Sequence, residues 1–241
     1  MKSFFRKRMS FRAFSLSGLV SGLFVLFIFT AKPVSRMSSY SLLCLGDSYT
    51  IGEMVLPKEN FPNQTADLLR KSGYDFADPE IVARTGWTTD ELQAAISQHI
   101  FKNQYDFVTL LIGVNNQYRG RSIEEYRSQF EALLKQSIHF ASGRIDHVIV
   151  LSIPDWSVTP FAASADRGDI AKQIDKFNEV NKELAATYRV KYMDITPDTR
   201  LAAGDQELIA ADGLHPSALA YAKWSEKIYQ VIHQELQQNN Q

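Results

Sequence analysis

Ser48, Asp212 and His215 are the residues whose types and spacing could together do chemistry. Ser48 follows the apolar run 41–45 and Gly46, so its hydroxyl is expected on a tight strand-to-helix turn. Its own amide then starts the next helix, where a backbone N–H can stabilise developing negative charge. Taken alone, Gly46-Asp47-Ser48 reads equally well as a helix cap. Asp212 stands three residues before His215 on a loop bounded by Gly213 and Pro216, a spacing that can turn both side chains to one side. The carboxylate would accept from imidazole Nδ1 and leave Nε2 to take the Ser48 proton, which is the arrangement of acyl transfer. By itself such a loop more often caps a helix, with Pro216 in the first helical turn. Of the other histidines, His99, His139 and His233 fall within helical patterns and His147 begins a strand, so none has a comparable loop setting.

Two further residues could hold an oxyanion. Gly86 lies between a strand and a capped helix, where its amide could be unobstructed; the alternative is a turn glycine with positive φ. Asn115 follows the apolar run 107–112 and could donate its side-chain NH₂; the alternative is a turn asparagine bonded to its own backbone. Trp87, Tyr118, Trp156 and Phe161 sit near the same loops, as walls of an acyl or sugar pocket or as local core.

Positioning these groups falls to short apolar runs alternating with longer amphipathic ones, the pattern of stacked βα units in an α/β fold with a mostly parallel sheet. Strands are expected over residues 41–45, 80–83, 107–112, 147–152 and 190–195. Helices are expected over 63–72, 169–188 and 217–236, and after the capping-box patterns Thr88 to Glu91 and Ser122 to Glu125. Ligands of such sheets bind outside the carboxyl ends of the strands. The segments leaving those ends carry Ser48, Gly86, Asn115 and, near the end of the chain, Asp212 and His215.

The net charge of −1 conceals an asymmetry. Residues 1–36 hold seven of the 26 basic residues and no acid, so the remaining 19 face 27 acidic ones and the domain over 37–241 carries −8. That domain has no basic footprint for nucleic acid. One cysteine, Cys44, excludes an internal disulfide, and its apolar surroundings indicate a buried thiol. No His/Cys cluster has the spacing of zinc ligands, and no cofactor is implied.

Residues 13–31 carry no charge and follow Arg6, Lys7, Arg8 and Arg12. This is a basic flank and an apolar segment of about 28 Å as a helix, close to the ~30 Å hydrocarbon core. Such a length favours an uncleaved membrane anchor, with the catalytic domain outside the cytoplasm. Cleavage after Ala31, giving a secreted protein, and translation from Met37 are the alternatives.

The chain resembles the SGNH, or GDSL-like, hydrolases. The blocks that carry the resemblance are Gly46-Asp47-Ser48, then Gly86, then Gly113-Val114-Asn115, and last Asp212-Gly213-Leu214-His215-Pro216, spanning roughly residues 40–233. The resemblance implies a flavodoxin-like, three-layer α/β/α sandwich. It also implies an oxyanion hole made of the Ser48 amide, the Gly86 amide and the Asn115 side chain. Asn116 departs from the family, which commonly has Asp there. The expected reaction is hydrolysis of a carboxylic ester through an acyl-enzyme on Ser48, acting on a small-molecule, lipid or glycan ester such as a lysophospholipid or a sugar O-acetyl group. No obligate protein partner is implied. The rival readings are a membrane-tethered O-acyltransferase of the same fold and a non-catalytic binding module.

Overall fold

The computed structural model describes residues 39–102 and 104–238, so the expected leader lies outside the described residues. Five strands form one sheet: β1 (Leu42–Asp47), β2 (Glu80–Arg84), β3 (Phe107–Leu111), β4 (Val148–Leu151) and β5 (Lys191–Met193). Every pairing is parallel and the order is β2-β1-β3-β4-β5, the doubly wound flavodoxin-like order. All residues of β1, β3 and β4 are buried. A parallel sheet covered on both faces requires this, and it explains why these strands read as continuous apolar runs rather than alternating ones.

The main covering helices are α2 (Phe61–Lys71), α3 (Thr89–Gln98), α5 (Ile123–Phe140), α6 (Arg167–Tyr188) and α8 (Ala218–Gln238). Helices α2 and α8 pack against one another, and α3, α5 and α6 pack in series. Phe61 meets Trp224 and Tyr221 between the first pair; Tyr126 meets Phe177 at 4.6 Å between α5 and α6. Burying each such ring stabilises the fold by roughly 1.5–3 kcal/mol. Among the described residues no helix is long and apolar enough to cross a membrane.

Local chemistry sets the element ends. Asn60 accepts from the Asn63 amide and Pro62 occupies the first turn, so α2 begins two residues earlier than its apolar pattern indicates. At α3 the Glu91 carboxylate reaches back to the Thr88 amide at 2.9 Å. At α5 only half of the box forms: Ser122 Oγ accepts from the Glu125 amide, while the Glu125 side chain turns to Gln129 and Arg121. Pro216 is not in the first helical turn. It bridges Ile209 as a short antiparallel pair, and α8 starts only after Ser217.

Candidate active site

Strand β1 runs straight into the single-turn helix α1 (Ser48–Ile51), with Asp47 capping it by accepting from the Tyr49 amide at 3.0 Å. The turn needs Gly46, because a Cβ there would lie 2.1 Å from Thr50 Oγ1 and 2.4 Å from the Leu111 carbonyl of the neighbouring strand. Ser48 is thereby presented at the carboxyl edge of β1, at the point where the strand order reverses between β1 and β3.

His215 arrives from the far end of the chain on the loop before α8. Its carbonyl accepts from the Ala210 amide at 2.8 Å, and the Gly213 carbonyl accepts from the Phe161 amide at 3.0 Å, so the loop is tied at both flanks. The structure brings the three residues together: Nε2 of His215 lies 3.0 Å from Ser48 Oγ, and Nδ1 lies 2.6 Å from Asp212 Oδ2. The other Asp212 oxygen accepts from the amides of Leu214 and His215, both at 3.0 Å. Partial burial alone would raise the Asp212 carboxyl, but the His215 side chain and these two amides outweigh it and hold the carboxyl below its ordinary range. The Tyr49 ring packs against the imidazole at a tilt of 52°, with 5.0 Å between centroids. Such a serine–imidazole–carboxylate line can form a nucleophile, because the imidazole takes the hydroxyl proton while the carboxylate fixes its tautomer.

Asn115 is carried by α4 (Val114–Tyr118), a short helix that follows β3 without an apolar period to announce it. Gly113 caps it with φ of +131°, and a Cβ there would meet the Tyr126 hydroxyl at 2.5 Å, so only glycine fits. The Asn115 NH₂ donates to the Trp87 carbonyl at 3.0 Å and points to Asp47 Oδ2 at 3.5 Å, the outer limit of a hydrogen bond. Gly86 has φ of +86°, and its turn is closed from the Trp87 amide to the Arg84 carbonyl, leaving the Gly86 amide out of that bond. Asn116 does structural work: it accepts from the Thr89 amide at 3.0 Å and donates to Thr89 Oγ1 at 2.7 Å.

Beside Ser48 and His215 opens a cavity of about 130 Å³ walled by Tyr49, Val114, Tyr118, Trp156, Phe161 and Leu214. Trp156 is held by its indole N–H, which donates to Gln117 Oε1 at 2.8 Å. Trp87 is not part of this wall; it packs against the core and offers the site only its carbonyl. Among the described residues no cluster of His, Cys, Asp or Glu is arranged to hold a metal. Burial pushes the Cys44 thiol up to about 12, which makes it inert.

One group that sequence reasoning treated only as a cap is Asp47. Full burial pushes its carboxyl up to about 7 against the opposing hydrogen bonds from the Tyr49 amide and Asn115. A carboxyl whose folded value lies above its unfolded one binds a proton that the unfolded chain lacks, so its contribution to stability is complete below about pH 4 and is lost as pH rises through about 7. Asp47→Asn, which cannot ionise, should therefore gain on the wild type across that window. We expect the difference in Tm to move by roughly 5–10 °C between pH 4 and pH 8 in a scanning calorimeter. A difference independent of pH would contradict the upward shift of the buried carboxyl.

The family model for GDSL-like lipases and acylhydrolases matches residues 44–223. A search of curated proteins finds no match. Solved structures with the same fold include a lipase/acylhydrolase from Enterococcus faecalis, 21% identical with a TM-score of 0.62, covering 80% of this chain and 95% of that one. A psychrotrophic esterase from a Pseudoalteromonas species is 18% identical with a TM-score of 0.61, covering 83% and 100% of the two chains. An acetylxylan esterase from Geobacillus stearothermophilus is 17% identical with a TM-score of 0.62, covering 81% and 94%. With its match running from the strand before Ser48 to the helix after His215, this chain belongs to the GDSL-like lipase/acylhydrolase family of ester hydrolases.

Proposed function

We propose that the protein is a serine carboxylesterase acting on short acyl esters, with Ser48 as nucleophile, His215 as general base and Asp212 as its orienting carboxylate. The observation that carries this reading is the continuous line from Asp212 through His215 to Ser48 Oγ, made of contacts of 2.6 and 3.0 Å. Ser48 Oγ attacks the ester carbonyl while His215 Nε2 takes its proton; the oxyanion is held by the Ser48 amide, the Gly86 amide and Asn115. Collapse of the tetrahedral intermediate returns the proton to the leaving alkoxide and leaves an acyl-enzyme on Ser48. Water then attacks, giving its proton to His215, and the carboxylic acid and free serine are released.

The size of the cavity supports a short acyl group. At about 130 Å³ it is a little smaller than the roughly 150 Å³ apolar cavity that accepts a benzene ring, so it suits an acyl group of up to about five or six heavy atoms. Its walls are apolar and aromatic, which favours alkyl over charged acyl groups. Among structural relatives, the Geobacillus enzyme is an acetylxylan esterase and the Pseudoalteromonas esterase was solved inhibited by monoethylphosphonate, both in keeping with a small acyl site.

A p-nitrophenyl ester series from acetate to palmitate tests the reading. We expect kcat/KM to peak between acetate and butyrate and to fall by roughly 10-fold or more by octanoate, since each misplaced methylene costs about 1–3 kcal/mol. Trp156→Ala should move the optimum to longer chains. A peak at palmitate in the wild type would remove the short-acyl assignment.

The uncharged stretch 13–31 behind Arg6, Lys7, Arg8 and Arg12 supports the further reading that the domain is tethered to a membrane and acts outside the cytoplasm. Retention of the full chain in carbonate-washed membranes is the expected result. A soluble product beginning beyond residue 31 would replace the tether with a cleaved leader.

A further inference from the structure

A glycine with φ of +86° is not held in place by its own backbone, because glycine enters the positive and negative regions about equally readily. The segment carrying Gly86 therefore needs an external restraint, and α4 supplies one residue by residue. Arg119, at the end of α4, donates from Nη2 to the Gly86 carbonyl at 2.5 Å. Asn115 donates to the next carbonyl, that of Trp87, at 3.0 Å. Asn116 then holds Thr89 through both its amide and its hydroxyl. Arg119 is itself located by Glu91, whose Oε1 lies 3.2 Å from Nη1 and whose Oε2 accepts from the Thr88 amide. The bond to Gly86 is charge-assisted and belongs to a side chain about 40% exposed, so its loss leaves the core untouched.

We propose that Arg119 is a positioning residue for the oxyanion hole: its guanidinium grips the Gly86 carbonyl and so fixes the peptide whose neighbouring amide faces the developing oxyanion. This rests on the reading of the Gly86 amide as an oxyanion donor. Arg119 touches no reacting atom in this account. Its effect passes through the angle and distance of a donor that matters only once the carbonyl oxygen has become negative, so it should be felt in kcat and not in KM.

The test compares wild type, Arg119→Ala, Arg119→Lys and Gly86→Ala in the full chain, with steady-state kinetics on p-nitrophenyl acetate and Tm for each. We expect Arg119→Ala to lower kcat on the order of 10-fold with KM within about twofold of wild type, a misplaced donor costing less than an absent one. Arg119→Lys, which still offers one charged donor to the carbonyl, should recover most of that loss. An unchanged kcat in Arg119→Ala, or a loss confined to KM, overturns the proposal, the latter making Arg119 a substrate contact. A fall in kcat that lysine does not rescue and that tracks a fall in Tm also overturns it. Gly86→Ala separates the two claims. Alanine keeps the amide but strains it at a φ of +86° and so displaces it; a lowered kcat there beside a normal Arg119→Ala rejects the clamp and keeps the donor, whereas normal kcat in both rejects a position-sensitive donor at Gly86 and the clamp with it.

Discussion

Ser48→Ala should lower kcat for p-nitrophenyl acetate by roughly 10⁴- to 10⁶-fold while leaving the fold intact, the range found when the nucleophile of a serine hydrolase is removed. Ser48 Oγ is the atom His215 Nε2 meets, at 3.0 Å, and the buried residue sits at the carboxyl end of β1, as the first residue of α1. Without the hydroxyl no acyl-enzyme can form, and the residual rate is that of water in a pocket that still binds the ester and still holds its oxyanion. The side chain removed is small and carries no structural bond apart from that to His215, so Tm should change by no more than about 3 °C. A loss below about 10-fold would mean that another group attacks the carbonyl.

Asp212→Asn is expected to have the second-largest effect, about 10³- to 10⁴-fold in kcat with KM little changed. The carboxylate accepts from His215 Nδ1 at 2.6 Å, which fixes the tautomer with Nε2 free to accept the Ser48 proton. An amide can keep the two backbone bonds from Leu214 and His215 through its oxygen, so the loop should stay in place. Its NH₂ would then face Nδ1, force the other tautomer and turn Nε2 into a donor that cannot act as a base. The His215 side chain and the two loop amides outweigh partial burial and hold Asp212 below the ordinary carboxylate range, so it is ionised at neutral pH. Parallel kinetic and Tm measurements on wild type and variant check this. A rate within about 10-fold of wild type would make Asp212 a loop-forming residue rather than the orienting carboxylate.

How far the site was legible follows from where each interaction lies along the chain. The strands of the sheet centre were readable because burial on both faces demands unbroken apolar runs, as in Leu42 to Leu45 and Phe107 to Leu111. Asp212 and His215 were readable as a pair because their spacing is local, and Ser48 because the glycine before it marks a strand-to-helix turn. What could not be read was mostly made by packing between distant segments. The Arg119 bond to Gly86 and the Asn116 bonds to Thr89 join residues 33 and 27 apart, and neither end carries a pattern that names its partner. Asn116 illustrates the point: seen in sequence it is a departure from a family motif, whereas in the fold it is the residue that pins the start of α3. Trp87 and Trp156 are alike in sequence, yet only Trp156, a buried core residue whose indole N–H donates to Gln117, also walls the cavity beside Ser48 and His215. The single-turn helices α1 and α4 are too short to show a period.

The central claim is that Ser48 is an activated nucleophile, and the measurement that reaches it most directly is covalent labelling. The purified protein is treated with a fluorophosphonate, its intact mass recorded, and the modified peptide sequenced. The account predicts one phosphonyl adduct per chain, on Ser48, lost in Ser48→Ala and strongly slowed in a His215→Ala variant that retains the hydroxyl. An unmodified wild type, or an adduct on any other residue, would contradict it.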